Sequence, residues 1–187
     1  MTSTRVLKPI AIVACAALIG FVAYAIVAAT HRSTGAFPPV AAPSQLHAGS
    51  SAPSFSIPPL SGTAKVIYAG HSAEPVVLNF FASWCANCVA ELEAFATVSN
   101  QSRATRFIGV DSEDPARASA LSLLRHAGIQ YKIGSDPSGS VASRYLISAL
   151  PVTYFISANG SVRGELFGAA TAAELRSWVK RLGGTTN

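Results

Sequence analysis

The chain alternates between long apolar stretches and short polar breaks, and the period of each stretch predicts an element. Residues 9–30 hold no charged side chain. Their core, residues 10–29, is about the length a helix needs to cross roughly 30 Å of hydrocarbon. Residues 31–52 are rich in Ser, Pro, Ala and Gly without apolar period, the pattern of a flexible tether. Past that point the breaks become regular. Phe55-Ser56-Ile57 and Lys65-Val66-Ile67-Tyr68 read as short edge strands around a turn. Val76 to Phe81 is apolar save Asn79, and rich in β-branched and aromatic residues, as in a strand covered on both faces. Good helix formers follow from Cys88 to about Asn100. Thr105 to Asp111 is a second buried strand. Asp114-Pro115 predicts a helix opened by a cap and a first-turn proline, and Gly128 closes it. Gln130 to Ile133 suggests an added strand, Asp136 to Gly139 a turn, and Val141 to Tyr145 a short helix. Val152–Ile156 and Ser161–Leu166 form a hairpin across Asn159-Gly160. Thr171 and Glu174 make a capping box. It starts a final helix with Leu175, Trp178, Val179 and Leu182 on one face, stopped by Gly183-Gly184.

The order is therefore βαβ, further helix, a β-hairpin and a last helix, in one domain of residues 53–187. That length is ample for a core. The apolar run before it is longer than the roughly 7–15-residue core of a cleaved signal peptide. Ala23-Tyr24-Ala25 could pass as a cleavage site, but it lies inside the run. An uncleaved signal anchor over residues 9–30 is expected. Arg5 and Lys8 then put residues 1–8 in the cytoplasm and the domain on the other side of the cell membrane, as a single-pass protein.

Composition changes this picture little. Half of the residues are hydrophobic and 12% are charged, the apolar excess coming from the first thirty positions. The formal charge of +5 raises nucleic acid as a partner. The basic residues are scattered, however, with no stripe of interleaved aromatics, so nucleic acid is not expected. His47, His71 and His126 stand alone and read as solvated.

The candidate chemistry lies in Trp84-Cys85-Ala86-Asn87-Cys88, between the first buried strand and its helix. Free amides and a positive dipole end gather there, which stabilises a thiolate. A structural disulfide would close too short a loop to stabilise much. A zinc site would need a second Cys or His pair, and the remaining cysteine, Cys15, sits in the apolar run. Covalent haem attachment needs a histidine where Val89 stands. A redox dithiol carries most weight, and it needs neither cofactor nor metal. Cys85, at the helix end, is expected to be exposed and to attack; Cys88, one turn in, is expected to resolve the mixed disulfide. Trp84 either shields the pair or fills the core.

The element order with this Cys-x-x-Cys resembles a thioredoxin fold from about Ala52 to Leu182. Val77 to Cys88 resembles the membrane-anchored TlpA/ResA/CcmG-type thioredoxins. Gly109-Val110-Asp111, Asp136-Pro137-Ser138-Gly139 and Leu150 to Ile156 support the match. The resemblance implies a central mixed sheet flanked by helices, with an N-terminal β extension and a central insertion. It implies that Pro151 is cis and that Trp84, Leu150 and Pro151 face an extended substrate segment. From the sequence alone, a trans proline at a strand edge is the commoner case. It also implies an active-site role for Glu91, three residues after Cys88; the plain alternative is a solvated helix carboxylate. Where cytoplasmic thioredoxins have a buried Asp, Asn79 cannot titrate. Expected partners are protein thiols and disulfides, apocytochrome c cysteines among them, and a membrane thiol carrier. The favoured activity is reduction. An oxidase and a thiol-independent binding or chaperone module are the alternatives. A peroxidase is disfavoured, because the Pro/Thr pattern before a single attacking cysteine is absent near Cys85.

Overall fold

The computed structural model describes residues 46–186. The expected anchor, Cys15 and most of the tether lie outside them. Among the described residues no helix is long and apolar enough to cross a membrane.

Two short strands, β1 (Phe55–Ile57) and β2 (Val66–Tyr68), pair antiparallel as the N-terminal extension. The main sheet begins with β3 (Val76–Phe81), followed by α1 (Ala86–Gln101) and the two-residue β4 (Ser102–Arg103). Next come β5 (Arg106–Ser112), α2 (Arg117–Ala127), β6 (Lys132–Asp136) and α3 (Ser140–Arg144). The chain ends with β7 (Val152–Ile156), β8 (Val162–Phe167), α4 (Ala172–Arg181) and β9 (Thr185–Thr186). The five-stranded order is β6-β5-β3-β7-β8. β3, β5 and β6 are parallel, while β7 runs against both β3 and β8. This is the thioredoxin-like mixed sheet, with α2 and β6 as the central insertion. The pairing of β4 with β9 is too short to leave a sequence signal.

All six residues of β3 are buried, and their two-residue alternation divides the core. Val76, Leu78 and Phe80 face the β1–β2 extension, Tyr145 and Tyr154. On the other face Phe81 packs with Cys88, Leu92 and Leu124, and Val77 with Phe95, Phe155 and Val179. Trp178 stacks on Phe155 with centroids 4.4 Å apart, and Arg181 covers its outer side. The capping box predicted at Thr171 and Glu174 is present.

Two expectations change. The helix after Asp114-Pro115 starts at Arg117, and its N-cap position, Ala116, makes no side-chain cap. Asp114 does accept from the Ala116 amide, but its other oxygen is taken by Ser83. A carboxylate committed to a distant loop cannot cap the helix in the ordinary way. The last residues of the tether are also part of the fold. Gly49 donates to Val162, Val162 to Ser50 and Ala52 to Gly160, and Ala52 is buried.

Candidate active site

The site stands where β3 ends. Val152 pairs with Phe80, so the start of β7 lies beside the exit of β3. The Leu150–Pro151 peptide there is cis. Ala82 to Trp84 turn the chain, and Cys85 takes the N-cap of α1 in an extended conformation. Its sulfur accepts from the Cys88 amide at 3.2 Å, so an otherwise unpaired helix-end donor is aimed at the reacting atom. Cys85 and Cys88 are joined as a disulfide. Cys88 is fully buried and Cys85 is 8% exposed. Cys85 is therefore the accessible member of the pair, though more covered than its helix-end place suggests.

Trp84 is not core. It is 61% exposed, and its indole N–H donates to the Glu113 carbonyl at 3.3 Å. The turn that caps α1 points it outward, against the tendency of so large an apolar group. Leu150 is half-buried and bridges the core on both sides of the sheet. Pro151 is buried at the head of β7.

Glu91 is not solvated either. It is 1% exposed. One carboxyl oxygen accepts from Asn79 Nδ2 at 2.8 Å, the other from the Ala170 amide at 2.9 Å. Asn79 Nδ2 also reaches Thr153 Oγ1 at 3.2 Å. Burial pushes the Glu91 carboxyl up to about 7, and the two donors offset only part of that. The non-titrating Asn79 thus serves to orient the acid. An ionisable group poised near neutrality, one helical turn from a thiol, is equipped to exchange a proton with it.

Two further buried carboxyl groups carry no strong mark in the sequence. Asp111, at the end of β5, is 1% exposed, and Asp114 is 6% exposed. Burial and the neighbouring Asp114 push the Asp111 carboxyl up to about 7. Burial raises the Asp114 carboxyl, but the hydrogen bonds it accepts from Ser83 and Ala116 together outweigh that and hold it below the usual aspartate range. The signal available in sequence was the Asp-x-x-Asp at a strand end, a weak one on its own.

Comparison with known proteins places the geometry. The "Thiol:disulfide interchange protein DsbE" of Xylella fastidiosa is 33% identical over 123 residues, 65% of this chain and 61% of that protein. The chain thus spans about three fifths of that relative's length. The "Thiol-disulfide oxidoreductase ResA" of Bacillus thuringiensis is 22% identical over 140 residues, covering 74% of this chain and 80% of ResA. The crystal structure of a secreted Mycobacterium tuberculosis disulfide oxidoreductase matches with a TM-score of 0.61 and 25% identity. That match covers 68% of this chain and 96% of the other. The sequence model of the AhpC/TSA family matches residues 48–165, more than half of the chain. With its DsbE- and ResA-like relatives and its paired cysteines at the end of β3, the chain belongs to the AhpC/TSA family.

Proposed function

We propose that the protein is a thiol–disulfide oxidoreductase that reduces disulfides in other proteins. The observation that carries this reading is the Cys85–Cys88 pair, with Cys85 at the α1 N-terminus, its sulfur bonded to the Cys88 amide, and Cys88 fully buried. In the reduced form the Cys85 thiolate attacks one sulfur of a substrate disulfide. That bond breaks, and the departing substrate sulfur takes a proton. Cys88 then gives up its proton, with Glu91 the acceptor one turn away, and attacks the Cys85 sulfur. The Cys85–Cys88 bond forms and the second substrate sulfur leaves and is protonated. Two electrons and two protons pass to the substrate, and a thiol carrier must restore the dithiol. Trp84, Leu150 and Pro151 flank the pair as contacts for an extended substrate segment.

The direction follows from what stabilises the thiolate. Strong oxidants owe a potential near about −120 mV to a stabilised reduced form. Ala86 and Asn87 carry no charge, and an ionised Glu91 disfavours a nearby thiolate. Both raise the tendency to give electrons, which supports a potential of roughly −200 to −270 mV. The apolar residues 10–29, with Arg5 and Lys8 before them, support a membrane tether with the domain outside the cytoplasm. The resemblance seen in the sequence makes apocytochrome c cysteines a substrate class in keeping with that location. Equilibration of the protein against glutathione tests the direction. A potential near about −120 mV would make it an oxidase instead.

A further inference from the structure

The Asp111–Asp114 pair has no part in the exchange steps above, yet it is built into the turn that carries Cys85. Asp114 Oδ2 accepts from the Ser83 amide at 2.6 Å, and Oδ1 accepts from the Ala116 amide at 2.8 Å. Ser83 lies two residues before Cys85. Among the described residues neither Asp111 oxygen meets an N–H or hydroxyl donor. The Asp114 carboxyl is its neighbour, close enough to raise the Asp111 carboxyl after burial has done so. Two buried carboxyl groups this close cannot both ionise cheaply. One holds a proton and donates it to the other. The amides decide which: Asp114, with two N–H donors, is the carboxylate, and Asp111 is the acid.

We propose that Asp111 and Asp114 form a one-proton clamp that positions the Ser83–Cys85 turn, and that losing the proton slows attack by Cys85. The inference rests on the dithiol-exchange reading. Without the proton, two facing carboxylates repel, and an added negative charge stands beside the turn. A neighbouring like charge raises a thiol pKa by about one unit. The gain in nucleophilicity recovers roughly half of that on a logarithmic scale, leaving about a threefold slower attack at a pH below the thiol's own pKa. The other charges around the pair do not duplicate it. β3 and residues 82–90 bring none, and α1 brings Glu91 and, on its exposed side, Glu93. α2 brings Arg117, which favours an ionised Asp111, and, at its far end, Arg125 and His126. Glu113 is exposed in the same loop. Asp136, at the end of β6, is spent on the Val141 and Ala142 amides. The raised Asp111 value falls where a clamp of this kind would act.

The test uses the full chain in detergent micelles, reduced, with oxidised glutathione as the probe disulfide. Because Glu91 titrates in the same region, the comparison is made in a Glu91→Gln background. There the rate profile is expected to keep one step near neutrality, a fall of about threefold below the rise expected from thiol ionisation alone. Adding Asp111→Asn, whose amide still donates to Asp114 but cannot titrate, removes that step and keeps the faster, low-pH behaviour. Adding Asp111→Ala instead, which removes the bond, slows the reaction at every pH. The infrared carbonyl band of a protonated buried carboxyl, measured on the oxidised protein, should persist in Glu91→Gln and vanish when Asp111→Asn is added. Superimposable rate profiles, or a band indifferent to Asp111→Asn, would overturn the clamp while leaving the exchange reading intact. A chain without any exchange would sink both.

Discussion

Glu91→Gln should raise stability at alkaline pH, which is unusual for replacing a buried residue with two hydrogen-bond partners. The folded protein holds Glu91 protonated up to about 7, against an ordinary value of 4.5. Between those two values the unfolded chain has released the proton and the folded chain has not. The folded state binds more protons there, so stability falls as pH rises. The contribution of the buried acid is whole below the unfolded value and is lost as pH climbs to the folded one. At about 1.4 kcal/mol per pKa unit, the loss across this window is about 3 kcal/mol. An amide does not titrate and escapes that loss. It can still accept from Ala170, and its own N–H can pair with Asn79 Oδ1, which has no donor among the described residues. The steric change is negligible. Urea unfolding of the oxidised chain is the assay, because disulfide sulfurs do not titrate. Asp111 titrates in both proteins and cancels in the difference. The stability of Glu91→Gln minus that of the parent should grow by about 3 kcal/mol from mildly acid to mildly alkaline pH. Parallel curves across that range would refute the buried-acid account and return Glu91 to a screened surface charge.

The remaining expectations concern the cysteines, the surface and the packing. Cys85→Ser should abolish insulin reduction and Cys88→Ser should accumulate mixed disulfides; turnover by both single variants would rule out the dithiol mechanism. Trp84→Ala should leave stability within about 0.5 kcal/mol, since the ring is 61% exposed, yet slow exchange with a protein disulfide more than with oxidised glutathione; equal slowing of both would remove Trp84 from the substrate surface. Gly164→Ala should cost about 1–3 kcal/mol in thermal unfolding, because its new Cβ meets the Trp178 ring stacked on Phe155; an unchanged melting curve would show that the stack yields freely. Full-length protein should remain in the membrane fraction with its domain open to protease added outside; a soluble chain beginning near residue 26 would mean the apolar run is a cleaved signal.

What could be read from the sequence follows the range over which the forces act. Val76 to Phe81 declares itself because every position is apolar save one, and Thr171 with Glu174 because a capping box is settled within four residues. The cysteine pair is legible for the same reason: its strand, turn and helix are contiguous. The positions that the sequence leaves open, or places wrongly as with the Asp114 cap, are polar or amphipathic groups whose partners lie far along the chain. Glu91 could be placed one turn past Cys88, but its burial depends on Ala170, 79 residues away, and on Asn79, 12 away. Asp114 offers a good helix start until Ser83, 31 residues earlier, takes one of its oxygens. Trp84 would be core by hydrophobicity, and only the turn that caps α1 turns it to solvent. The two raised carboxyls share one physical origin, since desolvation penalises their charged forms more than any donor repays. Each makes the fold less stable as pH rises through neutrality. An amide at either position would escape that loss, so filling space does not account for two acids. What an amide lacks is a proton to give or take near neutral pH; Glu91 lies one helical turn past Cys88, and Asp111 lies beside the carboxyl that holds the Ser83 amide. Perturbed acids gathered in this way are what proton-coupled sulfur chemistry needs.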